Sequence, residues 1–149
     1  MITHRIKIVE IAILLLALFA LPRTSNAESP NDILIIANKG LNINYISPDE
    51  LKQLFLGKKT NAKSGEKIIC INSQAGTAVR EIFRTKVLEM SKSEEMSYWE
   101  RAKIRKQLSP PPEFVGVAKA VFKLPNAISY AYRKDVPTSV VKVLLVIPQ

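Results

Sequence analysis

One cysteine, Cys70, and one histidine, His4, are all that the 149 residues hold of the side chains used most in metal and redox chemistry. A single cysteine excludes a disulfide framework. Cys70 sits in the apolar run Ile68–Ile71, where a buried, inert thiol is expected. With His4 at the extreme N-terminus, no imidazole is left in the body of the chain to activate Ser73 or Thr77 as nucleophiles. No Cys/His/Asp cluster has the spacing of a metal site. The reading is therefore of a non-enzyme without metal or cofactor. Aromatic residues are few and are not interleaved with the cations, so a base-stacking platform is missing and nucleic acid is not an expected partner. The one long apolar run, Ile11–Leu21, is shorter than the roughly 20 residues a spanning helix needs. Low-complexity segments and internal repeats are absent too.

The N-terminus has the order of a secretory signal. His4, Arg5 and Lys7 form a basic start, Ile11–Leu21 an apolar core, and Pro22 breaks it. Ser25-Asn-Ala27 places small residues where a signal peptidase reads them. Residues 1–27 are expected to be a signal peptide cleaved after Ala27, with residues 28–149 exported to the periplasm as one domain. No stable membrane insertion is expected after cleavage. The chain carries a net charge of +9. Residues 1–27 hold three cations and one carboxylate, so the exported part carries +7. Such a surface attracts anions, anionic headgroups or acidic partners.

The body of the chain alternates between two periods. Ile33–Ala37 is a continuous apolar run, as in a strand buried on both faces. Ser47-Pro-Asp-Glu50 opens a helix, with Ser47 as N-cap, Pro48 at the first turn and Glu50 completing a capping box. Gly57 is placed to end that helix in the left-handed conformation. Ile68–Ile71 reads as a strand, and Val79, Ile82, Phe83 and Val87 as the inner face of a helix opening at Gly76-Thr77. Ser91 or Ser93 caps a helix over about Glu94–Leu108, with Trp99 as its core anchor and Arg101, Lys103, Arg105 and Lys106 on a solvated face. Pro110, Pro111 and Pro112 break it. A helix over Glu113–Leu124, a strand over Ala127–Tyr132 and a strand over Val140–Ile147 complete the chain. The alternation predicts an α/β three-layer sandwich with a mostly parallel sheet.

The strand-to-helix junction at residues 71–80 is the expected centre of function. A helix start leaves its first N–H groups unpaired, and the helix dipole adds positive charge there. Ser73, Thr77 and Arg80 stand where hydroxyl and guanidinium donors would join them. Ser73 or Thr77 as a simple helix cap is the competing reading. Asn38 and Lys39, at the carboxyl end of the first strand, are second-tier candidates, because ligands of open α/β sheets sit beyond the carboxyl ends of strands.

Several segments together resemble one family. Ser47-Pro-Asp-Glu-Leu-Lys-Gln-Leu-Phe-Leu-Gly-Lys58 is similar to the S-x-x-E-L-x-x-I-F-x-G-K block of phosphate-type periplasmic substrate-binding proteins. Ala75-Gly-Thr-Ala-Val-Arg-Glu-Ile-Phe83 resembles their S-G-T/S-x-x-R-x-x-F helix opening, with Ala75 in place of the serine. Tyr98-Trp99 followed by Leu108-Ser-Pro-Pro-Pro112, and then Pro125-Asn-Ala-Ile-Ser-Tyr130, follow the family's order. The resemblance is to the small, one-lobed phosphate ABC transporter substrate-binding-like proteins. It implies one lobe of a type 2 periplasmic binding protein, and an oxyanion, typically phosphate, held by Ser73, Gly76, Thr77 and Arg80. It also implies a role as accessory to a transporter permease or a sensor protein. The alternative is a lobe that keeps the fold, has lost the ligand and acts as a protein-interaction module.

Overall fold

The computed structural model describes residues 27–149. The expected signal peptide lies outside these residues except for Ala27. The apolar run near the start of the described chain becomes β1, Ile33–Asn38, and Ile33 to Ala37 are wholly buried. A strand with no polar face must sit inside a sheet, and β1 does. It lies between β5 (Ala127–Tyr132) and β6 (Val141–Ile147), with β2 (Ile69–Cys70) outside β5. β2 pairs parallel with β5, setting Cys70 beside Ile128. β1 runs antiparallel to both neighbours, with Ile35 opposite Tyr130 on one side and Leu145 on the other. Three of the four strands therefore point one way, and β1 is threaded between them in reverse. Counting alternating strands and helices reveals crossovers, but not which strand inserts backwards.

The pleat then sorts the core into two halves. Ile33, Ile35 and Ala37, with Ile128, Tyr130 and Leu144, face α1 (Pro48–Phe55) and the segment Phe83–Leu88. Here the Phe83 and Tyr130 rings stack at 3.7 Å between centroids, and Phe55 tilts against both. Leu34 and Ile36, with Ala127, Ala131 and Val141, face Val117 and Val121 of α4 (Val117–Lys123). Helices on both faces of a sheet make the three layers.

Local signals account for most element ends. Ser47 Oγ accepts the Glu50 N–H at 3.2 Å, as an N-cap should. The capping box is only half made, because the buried Glu50 carboxylate accepts the Lys63 N–H at 2.7 Å instead. Gly57 follows α1 with φ +65°. The helix opening at Thr77 runs as α2 (Ala78–Phe83) and continues as a π-helical turn over Arg84–Leu88. Ser91, not Ser93, caps α3 (Lys92–Lys106), and with Glu94 it forms a complete capping box.

Two expectations need correction. Residues 113–116 are not helical: Glu113–Phe114 is strand β4, paired parallel with β3 (Asn72–Ser73). Gly116, at φ +68°, turns the chain before α4 begins. Trp99 is half-buried and belongs to neither core cluster. It packs T-shaped on Tyr98 and beside Gly57 in a groove wall that also includes Leu108, and its indole N–H is buried without an acceptor among the described residues.

Candidate functional site

β3 hands the chain to α2 through Gln74-Ala-Gly-Thr77. Gly76 takes φ +81° there, a conformation in which a side chain is strained. The turn is exposed at Gln74, Ala75 and Gly76 and faces the carboxyl end of β5. Among the described residues, the N–H groups of Gly76, Ala78 and Val79 find no acceptor. The Ala75 N–H does find one, the Glu113 carboxylate, at 2.9 Å. An oxyanion is thus already seated at this turn, supplied by the chain itself.

The expected ligand side chains are committed elsewhere. Ser73 is buried, and its hydroxyl donates to the Tyr130 carbonyl at 3.1 Å. The Thr77 hydroxyl donates to the Gln74 carbonyl at 2.8 Å, closing the turn. Thr77 does hold the N-cap position of α2, as the helix-cap reading expects, but neither hydroxyl accepts a capping bond from the helix. Arg80 points inward and is 6% exposed. Its Nη1 donates to Asn72 Oδ1 at 2.7 Å and to the Tyr130 hydroxyl at 3.2 Å, and its Nη2 to Glu95 Oε1 at 2.5 Å. The other Glu95 oxygen accepts Arg84 Nε at 2.7 Å. Glu81 forks onto the far side of Arg84, and that bonding holds its carboxyl below the usual range and the Arg84 guanidinium well above its own. Burial pushes the Tyr130 phenol up, against the pull of Arg80, and lifts the Cys70 thiol to about 12.

Two cavities flank the β3–β4 ribbon and divide the expected set. Arg80 lines one of about 460 Å³ with Ala75, Glu95, Trp99 and Glu113. Ser73 and Thr77 line the other, about 470 Å³, with Val79, Phe114 and Tyr132. Gly76 stands between them on the exposed turn.

Asn38 and Lys39 are not brought to this site. Because β1 is reversed, its carboxyl end meets the start of β5: Ala37 pairs with Ile128, whereas Ser73 bonds to Tyr130 near the other end. The Asn38 amide caps the carbonyls of Val121 and Phe122, at 2.9 and 3.0 Å, and Lys39 Nζ donates to the Ser139 carbonyl at 2.5 Å.

Sequence reasoning missed Glu113, Glu95, Asn72 and Tyr130. Glu113 follows a triple proline and has no pattern of its own. Glu95 carries no distinct signal either, because the same helix holds Glu94 and Glu100 and nothing local marks which of the three is buried. Among the described residues no group of His, Cys, Asp and Glu could hold a metal ion, and no helix is long and apolar enough to cross a membrane.

No protein-family model and no curated protein sequence matches the chain. Solved structures do. One is a protein assigned as a phosphate ABC transporter substrate-binding protein, from Clostridium perfringens, with bound phosphate. It has a TM-score of 0.57 and 20% identity over 77% of this chain and 45% of that one. A phosphate transport receptor of the ABC type from Vibrio cholerae has a TM-score of 0.59 and 17% identity, over 78% and 47%. PstS from Borrelia burgdorferi has a TM-score of 0.56 and 17% identity, over 83% and 54%. The chain spans about half the length of these proteins. At such identity the likeness establishes the fold alone, over 77% to 83% of this chain.

Proposed function

We propose that this chain is an exported, solute-binding-like lobe that recognises a small oxyanion at the Ala75–Thr77 turn. Phosphate is the first candidate, and the lobe serves as accessory to a transporter permease or a sensor. The observation that carries the reading is the Glu113 carboxylate on the Ala75 N–H, beside three further N–H groups without acceptors among the described residues. Donors that hold a carboxylate also suit a phosphate oxygen. The hydroxyls of Ser73 and Thr77 both donate to backbone carbonyls, so neither is paired with a base that would activate it as a nucleophile, and this supports binding over catalysis. The likeness to proteins described as phosphate-binding points the same way.

Affinity is set by competition. The Arg80 charge is matched by Glu95, and Glu113 places a negative charge where the ligand would sit. The expected Kd for phosphate is on the order of ~1 mM to ~10 μM, the range of a few hydrogen bonds made in competition with water. Glu113→Gln keeps an acceptor for Ala75 but removes the repulsion, which is worth about 1 kcal/mol at ~4 Å in water, so phosphate should bind roughly fivefold tighter. An amide NMR titration of the native chain and Glu113→Gln with phosphate and sulfate tests this. Saturable shifts at Gly76, Thr77 and Ala78 that tighten in the variant are expected. Their absence at about 10 mM anion in both proteins would refute the site.

A second reading, a ligandless lobe acting as a protein-interaction module, is favoured by the neutralised Arg80. A negative titration would point there.

A further inference from the structure

The cavity that Arg80 lines is larger and more apolar than an inorganic anion requires. Lys92, Met96, Trp99 and Lys103 recur at steps of three and four residues, so they stand along one side of α3. All four line this cavity of about 460 Å³. Leu108 and Pro110, where the chain leaves α3, line it as well. Met96 is 57% exposed, and Trp99 and Leu108 are half-buried, so apolar surface is open to whatever enters. A cavity of this size, with apolar walls and a few polar groups, suits a small organic molecule. A bare phosphate would fill only a small part of it.

The charged groups of the cavity divide into buried and exposed sets. The buried Arg80 and Arg84 are met by Glu95 and, from outside the cavity, by Glu81. Lys92 and Lys103 are exposed and form no ion pair among the described residues. Ala75 and Glu113, the N–H donor and the carboxylate seated on it, line the same cavity. Neither lines the second cavity, where Ser73, Thr77 and Phe114 stand. The place of the anion therefore opens toward Trp99. Glu113 is exposed, so its side chain can turn away without disturbing the core. The two exposed cations then face a single exposed carboxylate, Glu100.

We propose that the ligand is a small phosphate monoester with an apolar body. Its anion replaces the Glu113 carboxylate on the Ala75 N–H, and its body lies in the cavity along Met96, Trp99 and Leu108. The proposal rests on the reading of the Ala75–Thr77 turn as an oxyanion site and names the class of molecule that site takes. The two ends of such a ligand contribute differently. Hydrogen bonds to the anion are made in competition with water and add little each. The body removes apolar surface from water, on the ligand and on the cavity wall together, and that gain has no competitor. The exposed lysines match the charge that a monoester keeps.

The test is an NMR titration of the native chain with phosphate, phenol and phenyl phosphate in parallel, read at the backbone amides and at the Trp99 indole N–H. Phenyl phosphate should bind roughly tenfold tighter than phosphate, and tighter than phenol. It should shift Gly76, Thr77 and the indole together, whereas phosphate should shift the turn alone. Met96→Gln, a change at an exposed position, should weaken phenyl phosphate roughly threefold and leave phosphate as it was. Phe114→Ser, in the second cavity, should alter neither. Phosphate bound at the turn with phenyl phosphate no tighter would overturn the proposal and leave the oxyanion reading standing. No shift at the turn with any ligand would overturn both. Phenyl phosphate that moves the indole but not the turn would also overturn the proposal. So would a Met96→Gln variant that binds phenyl phosphate like the native chain, and a loss in Phe114→Ser would assign the body to the second cavity instead.

Discussion

Removing Glu95 should be the most damaging single change at the base of the candidate site. Its carboxylate holds two guanidiniums at once, Arg80 Nη2 at 2.5 Å and Arg84 Nε at 2.7 Å. All three side chains are less than a tenth exposed. In Glu95→Ala, Arg80 keeps only the neutral acceptors Asn72 and Tyr130, and Arg84 keeps only Glu81. Two buried positive charges are then left with one carboxylate, Glu81, which bonds Arg84 alone. Breaking a buried pair by deleting one partner costs about 3–5 kcal/mol, which for a domain of this size lowers Tm by roughly 10–25 °C. Glu81→Ala is the control. Glu81 is 46% exposed and Arg84 retains Glu95, so the loss should stay under about 1 kcal/mol. Replacing the triad together, by Arg80→Met, Arg84→Met and Glu95→Leu, should recover most of the stability, because no buried charge is left unpaired and Glu81 is half exposed. Urea unfolding followed by the fluorescence of Trp99, the chain's one tryptophan, reads all four proteins. A Glu95→Ala loss below about 1 kcal/mol, or one equal to that of Glu81→Ala, would refute the reasoning: the network would then be hydrated.

Acid should destabilise the fold. Glu81, Glu89 and Glu94 are held below the ordinary carboxylate range, chiefly by bonds from Arg84, Lys52 and the Ser91 N–H respectively. Burial pushes Asp32 up, but the Ser29 and Gln149 N–H groups and Arg133 together outweigh it and leave it lowered as well. Lowered folded-state values mean stability that is complete above the unfolded pKa, about 4, and lost as pH falls through the folded ones. The urea midpoint should stay level down to about pH 5 and drop below about pH 4, and a level midpoint to pH 3 would contradict this. Mass spectrometry of the exported protein should find an N-terminus at or near Glu28, whereas an intact one recovered with the inner membrane would make this a tethered protein.

Much of this was legible in order along the chain. The unbroken apolar run Ile33–Ala37 requires a strand with both faces covered, and β1 is that strand. Ser47-Pro48 and Gly57 bracket α1 through local backbone preferences, and Ser91 with Glu94 opens α3 by the same physics. Gly76 before Thr77 marks the strand-to-helix turn, because only glycine takes φ +81° without strain. These features depend on neighbours within a few residues, so the sequence by itself determines them.

The direction of β1 is another matter. It depends on pairing with residues a hundred positions away, and it carried Asn38 and Lys39 to the far end of the sheet. The fate of the anion donors was likewise decided in three dimensions. Glu113 reaches Ala75 only because β4 pairs with β3, and Glu95 reaches Arg80 only because α3 folds back over α2. A charge separated from its partner by 15 or 38 positions leaves no periodicity to read. Local sequence determined which residues stand at the turn; tertiary packing decided that the chain's own carboxylates meet them there, because burying an arginine requires a counter-charge wherever the fold can bring one.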